Sequence, residues 1–310
     1  MNKRNVLQWA AVTAVAGLLS ESQNSVAAAE RVLKKTPARW PQGSVVERDD
    51  GTSLYFREWG CGKPIFFVHS AAVDSRIFQY QMVALADAGF RCITFDRRSH
   101  GRSSDPGRGY DFDTLADDVA AVMDALDVDG ATLVGHSMGC GEIVRYLTRH
   151  GSERVARIAL LAPTLPFWLK TPDHPMGFDL AELQAARASW FRDYPKWVAD
   201  NAKPFFAADT SPEMIQWGIR MLLDTPLHAI IATNISVTDT DFRAELPRIT
   251  VPTMILHGTA DVSCPIDFTG RRTAALIPNC ELQVYDGAPH GLMITHLDRV
   301  NEDLLNFAKR

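Results

Sequence analysis

One short run in the chain carries the residue types of a nucleophilic centre: Gly135-His136-Ser137-Met138-Gly139. A serine hydroxyl is a weak nucleophile until a base takes its proton and a third group orients that base. Two later segments offer those partners. Asp261 lies in His257-Gly258-Thr259-Ala260-Asp261, and His290 lies in Gly287-Ala288-Pro289-His290-Gly291. Of the nine histidines, His290 is the one in the right late loop. His69 and His257 each end an apolar run and read as structural, and His136, inside the elbow itself, is expected to point away from the nucleophile. An oxyanion needs two backbone donors. The N–H of Met138, directly after the serine, is one, and Ala71, in the loop after Pro64 to His69, is the best candidate for the other. The chemistry such a set performs is acyl transfer.

The elements that must hold these residues follow from hydrophobic periodicity. Short apolar runs read as strands over Leu54 to Phe56, Pro64 to His69, Arg91 to Phe95, Ala131 to Gly135, Ile158 to Leu161, Thr253 to Leu256 and Leu282 to Tyr285. The internal runs are apolar on both alternations, as expected of parallel strands buried on both faces. Helical spacing runs over Asp113 to Leu126, Ser137 to His150 and Asn301 to Lys309. Strands alternating with helices predict an α/β fold, a mostly parallel sheet with helices on both faces. Ser137, Asp261 and His290 each follow a strand, so all three fall on the carboxyl edge of that sheet. The rhythm breaks from 164 to 246, which is helical in pattern and holds four of the seven tryptophans, Trp168, Trp190, Trp197 and Trp217. It reads as a helical cap inserted into a core of 30–163 and 247–310. Its aromatics, Phe167 and Trp168 first, are candidate substrate-binding residues, although holding the cap together is an equally simple use for any one of them.

The chain has 310 residues, 46% hydrophobic and 22% charged, with a formal net charge of −5. That composition excludes a disordered chain, and the acidic balance argues against a nucleic-acid partner. No Cys or His cluster has metal-ligand spacing, so no metal is expected. Neither a G-x-G-x-x-G after a strand nor a G-x-x-x-x-G-K is present, so no nucleotide is expected. Lys3 and Arg4, the apolar stretch Val6 to Leu19 and the small residues Val26 to Ala29 have the layout of a secretory signal peptide over 1–29. Lys3-Arg4-Asn5-Val6-Leu7 also resembles a twin-arginine signal, from which Lys3 departs. An exported, periplasmic or secreted protein without a stable membrane anchor is expected. Five cysteines leave at least one thiol unpaired within the chain, and Cys61 and Cys92, near the starts of neighbouring strands, could be bridged in an exported protein, a geometry the sequence does not establish.

Over essentially the whole mature length the sequence resembles the α/β-hydrolases, and more narrowly the cofactor-free haloperoxidase, arylesterase and perhydrolase group. The segments that carry the resemblance are Gly135-His136-Ser137-Met138-Gly139-Cys140-Gly141-Glu142, Asp96-Arg97-Arg98, Leu169-Lys170-Thr171 and Gly287-Ala288-Pro289-His290-Gly291-Leu292. The resemblance implies a Ser-Asp-His triad, no cofactor, and hydrolysis of small esters, with perhydrolysis or lactam and lactone opening in some members. Four positions depart from the group. Ser70 and Ser99 stand where glycines are usual, Ala71 where an aromatic, often Trp, is common, and Cys140 where a third small residue is expected. Positions 70 and 71 shape the acyl side of the site, so the resemblance does not carry the substrate over. Asp96, Arg97 and Arg98 read as ion pairs that hold loops. An ester of a small apolar molecule is the first reading. A lactonase, amidase, C–C bond hydrolase or perhydrolase on the same residues is the alternative, and an intact Ser-His-Asp set argues against a non-catalytic binder.

Overall fold

The computed structural model describes residues 44–310, and the expected leader at 1–29 lies outside them. Eight strands form one sheet: β1 (Val45–Glu47), β2 (Ser53–Gly60), β3 (Pro64–Val68), β4 (Arg91–Phe95), β5 (Ala131–His136), β6 (Val155–Leu161), β7 (Thr253–Gly258) and β8 (Cys280–Tyr285). Their spatial order is β1-β2-β4-β3-β5-β6-β7-β8. The first two joins, β1 to β2 and β2 to β4, are antiparallel. All later joins are parallel. β5 and β7 are buried at every position, which is why their sequences show no polar alternation.

Helices cover both faces. α1 (Gln79–Asp87) lies on one face, and α2 (Phe112–Ala125) and α3 (Met138–His150) lie on the other. Phe66, Leu133, Leu115, Val119 and Ile143 join one core cluster, while Phe67, Val134, Phe78 and Met82 join a second across the sheet. Successive strand residues therefore feed opposite layers, the period-two geometry of a pleated strand. Asp111 opens α2 by accepting from Thr114 N at 2.9 Å, a side-chain N-cap.

Between β6 and β7 come α4 (Leu180–Asn201), α5 (Pro212–Asp224) and α6 (Leu227–Asp239). Non-helical torsions at Asp193, two residues before Pro195, kink α4. Trp190, Tyr194, Val198, Ala202 and Ile230 form a separate cluster where α4 meets α6. The stretch is not wholly helical, since bridges pair Leu169 with Phe178 and Thr171 with His174. After β7 follow α7 (Gly270–Leu276), α8 (Leu292–Thr295) and α9 (Leu297–Lys309). Periodicity missed β1 and α1. β1 has three residues and no buried face, and α1 carries a buried Gln81 that donates to Met293 O at 2.8 Å, so neither shows a clean pattern.

All five thiols are free, so Cys61 and Cys92, a pairing the sequence leaves open, are not joined. Cys61 is exposed just beyond the end of β2, whereas Cys92 is buried inside β4. Asp96 also departs from expectation. Among the described residues it pairs with no arginine side chain but accepts from Ser75 N at 2.8 Å and Arg102 N at 2.9 Å, tying two loops by their backbones. Ser99 holds the positive φ, 63°, that explains the usual glycine, and its hydroxyl bonds Asp105 and Tyr110 at 2.6 Å each.

Candidate active site

β5 ends at His136 and α3 begins at Met138, leaving Ser137 alone in the turn at φ 55° and ψ −116°. Only close approach of strand and helix permits so tight a turn. A Cβ on Gly139 would run into the Val68 carbonyl oxygen, and one on Gly135 would lie 2.9 Å from Cys140 N. A serine at a helix start normally spends its oxygen on the first free N–H groups. Here the positive φ turns the side chain away and no side-chain cap forms. Ser137 N donates to Leu161 O at 2.9 Å, fixing the elbow to β6. Strain of this kind persists only where surrounding contacts over-determine it.

Asp261 follows β7 in a turn that holds its carboxylate from both sides. Oδ1 accepts from Ser263 N at 2.9 Å and Cys264 N at 2.8 Å. Oδ2 accepts from His290 Nδ1 at 2.7 Å. Burial pushes this carboxyl up, but His290, His257 and the Cys264 N–H outweigh it, so the group sits below the usual carboxylate range and stays ionised. His290 follows β8. Its loop is tied to the Asp261 loop by Ala260 N donating to Ala288 O at 3.1 Å, and to the insertion by Gly291 N donating to Phe205 O at 3.0 Å. The imidazole Nδ1 bonded to aspartate leaves Nε2 for the cavity. Ser137, Cys264 and His290 line one cavity together, although no Ser137 Oγ to His290 hydrogen bond is formed among the described residues. Such contacts commonly close only when substrate is bound.

The cavity has a volume of about 370 Å³ and lies between the sheet edge and the insertion. Ala71 and Met138 line its floor beside Ser137, and neither backbone N–H is paired to a backbone acceptor among the described residues. Trp168, Trp190, Tyr194, Trp197 and Phe205 make the wall. Phe167, expected there with Trp168, is not a lining residue. It packs 5.7 Å from the His174 ring with the Arg243 guanidinium 5.1 Å over its face. Of the two adjacent rings, only that of Trp168 reaches the cavity. Tyr194 and Cys264 escaped sequence reasoning. Tyr194 lies four residues beyond Trp190 in sequence, a spacing that offered the signal. Burial raises the Cys264 thiol well above its ordinary value, so it lines the site as a neutral group.

The remaining histidines have structural partners. His136 Nε2 lies 3.1 Å from His290 O, and the two rings sit 4.7 Å apart. Burial, then the neighbouring His290, hold His136 well below its ordinary value, so it packs under His290 as a neutral ring. His257 Nε2 faces Cys264 O at 2.8 Å and lies 3.2 Å from Asp261 Oδ2, the same oxygen that His290 contacts. Among the described residues no group of three or more His, Cys, Asp or Glu is placed to hold a metal, and no helix is long and apolar enough to cross a membrane.

This arrangement has known relatives. Residues 63–217 match the family model for the alpha/beta hydrolase fold. A non-heme chloroperoxidase of Kitasatospora aureofaciens is 35% identical over 84% of this chain and 98% of its own length. A bifunctional esterase/perhydrolase of Acinetobacter calcoaceticus is 34% identical over 85% of this chain and 99% of its own. Among solved structures, an esterase from Exiguobacterium antarcticum superposes with a TM-score of 0.83 at 30% identity, covering 87% of this chain and 100% of its own. The family-model match and relatives of 34–35% identity, covered over 98–99% of their own length, lead to one conclusion: the chain is an ester hydrolase-like enzyme that belongs to the α/β-hydrolase family, in its non-heme haloperoxidase group.

Proposed function

We propose that the enzyme cleaves a carboxylic ester of a small apolar molecule through an acyl-enzyme on Ser137. His290 takes the serine proton during attack, and Asp261 fixes the imidazole tautomer and stabilises the imidazolium. The N–H groups of Ala71 and Met138 receive the oxyanion, each worth roughly 3–4 kcal/mol in barrier height. His290 then protonates the leaving group and activates water for deacylation. The observation that carries this reading is the 2.7 Å contact of His290 Nδ1 with Asp261 Oδ2 at the floor of an apolar cavity that Ser137 also lines. The substrate is a small molecule, with no nucleic-acid partner and no cofactor, and residues 1–29 direct export.

A second reading uses the same acyl-enzyme with peroxide in place of water, giving a peracid. The named dual activity of the Acinetobacter relative favours it. The test is a panel of p-nitrophenyl esters of rising acyl length beside a few lactones and amides, repeated with hydrogen peroxide and peracid detection. Esters turned over by the wild type and not by Ser137→Ala support the first reading. Turnover confined to lactones or amides replaces it, and peracid in the peroxide arm adds the second.

A further inference from the structure

We infer that Arg97 is a positioning residue for the oxyanion hole, polarising the peptide that carries the Ala71 donor and tying it to the helix that carries the Met138 donor. The inference rests on the reading of Ala71 and Met138 given above. Arg97 follows β4, is fully buried, and spends its guanidinium on three groups. Nη2 donates to His69 O at 2.6 Å, and Nη1 donates to Ser70 O at 3.1 Å. Nε donates to Glu142 Oε1 at 2.8 Å, and Nη2 also contacts that oxygen. His69 completes the set. Its Nε2 accepts from Arg97 N at 2.9 Å, so its proton lies on Nδ1, which donates to Ser70 O at 2.8 Å.

The Ser70 carbonyl and the Ala71 N–H belong to one peptide unit. That peptide is trans, since the only cis bond among the described residues is Leu165–Pro166, so the N–H points opposite to the C=O. Two donors, one of them cationic, fix the oxygen on the buried side. The N–H is thereby aimed at the cavity that Ala71 lines. A charged donor on the oxygen also draws electron density from the nitrogen, which strengthens the N–H as a donor along the chain. Glu142 lies four residues after Met138, one turn along the same face of α3. The Arg97–Glu142 pair thus joins the loop bearing one donor to the helix bearing the other. A buried ion pair adds little net stability over an apolar pair of the same volume, so fold stability alone gives weak grounds for it. Positioning accounts for why the cation reaches past Glu142 to two successive carbonyls.

The test uses the full chain with Arg97→Met and Arg97→Lys, an acetyl and a butyryl p-nitrophenyl ester, and phenylboronic acid, whose tetrahedral serine adduct fills the hole. Arg97→Met should lower kcat about 10- to 100-fold with KM within about twofold, less than the 10²–10³ for outright loss of a donor. Phenylboronic acid should weaken in step with kcat, while inhibition by the product acid stays level. Arg97→Lys, able to reach one carbonyl, should fall between, and it decides the matter if Arg97→Met does not fold. A folded variant with kcat within about twofold of wild type, or with KM raised and kcat kept, overturns the inference. So does unchanged boronate affinity, since a merely structural role lowers Tm without touching that ratio. Ser137→Ala retaining turnover overturns the underlying reading instead, and the hole with it.

Discussion

Replacing Ala71 by Trp tests how the cavity selects its acyl group. Ala71 lies at the floor beside Ser137, where the resembling group commonly carries an aromatic, and the space it leaves belongs to a cavity of about 370 Å³. The wall opposite is mostly aromatic, with Trp168, Trp190, Trp197 and Phe205 offering an acyl chain apolar contact. Each methylene buried gains about 0.8 kcal/mol. A butyryl ester has two more methylenes than an acetyl ester, about 1.6 kcal/mol, or about fifteenfold in kcat/KM if the contact is made in the transition state. The wild type should therefore prefer butyryl and octanoyl over acetyl p-nitrophenyl esters. Ala71→Trp keeps the backbone N–H but fills the floor, so it should reverse the order while the acetyl rate changes by less than about threefold. Steady-state kinetics of the three esters on both proteins measure this. If Trp168 or Phe205 already occupies the space above Ala71, the new indole clashes and all three rates fall together. That uniform fall refutes the wide-pocket argument.

Other outcomes follow from the same geometry. Ser137→Ala and His290→Ala should each lower kcat by about 10⁴-fold or more, and the double variant should lose little beyond either one, because the residues act as a unit; kcat values that multiply would separate them. Burial, outweighing Arg97, raises Glu142 to about 7 from 4.5. The folded state therefore holds that proton more tightly than the unfolded chain. Its contribution to stability is complete below pH 4.5 and is lost as pH rises to about 7. Glu142→Gln has no such slope, so the Tm advantage of the wild type over the variant should shrink between about pH 5 and about pH 8; an advantage that grows would reverse the sign. Full-length chain expressed in a bacterium should yield a periplasmic or secreted product whose N-terminal sequence starts near Glu30, and a cytoplasmic product retaining Met1 would contradict export.

What the sequence made legible divides along a physical line. Ser137 and Asp261 follow β5 and β7, strands buried on both faces, and such an apolar run is visible in sequence because both alternations must satisfy the core, whereas His290 follows the partly buried edge strand β8. Parallel pairing then puts the ends of β5, β7 and β8 on one edge, so the strand pattern alone brings Ser137 to Asp261 and His290, which lie more than a hundred positions later in the chain. The insertion obeys no such rule. Its helices bury residues partly against one another and partly against the cavity, and an apolar side chain reads the same in either place. Trp190 belongs both to the α4–α6 cluster and to the cavity wall, while Phe167, equally apolar, belongs to neither. Arg97 shows the opposite limit. Its type and place in Asp96-Arg97-Arg98 suggested an ion pair, and it does make one with Glu142. Arg98, next to it, pairs with Asp118 and does nothing near the site. What separates the two is which backbone oxygens lie within reach of the guanidinium, and carbonyl direction leaves no trace in residue type. The parts of the site built from side chains that must follow a strand could be read; the parts built from the aim of a peptide bond needed the fold.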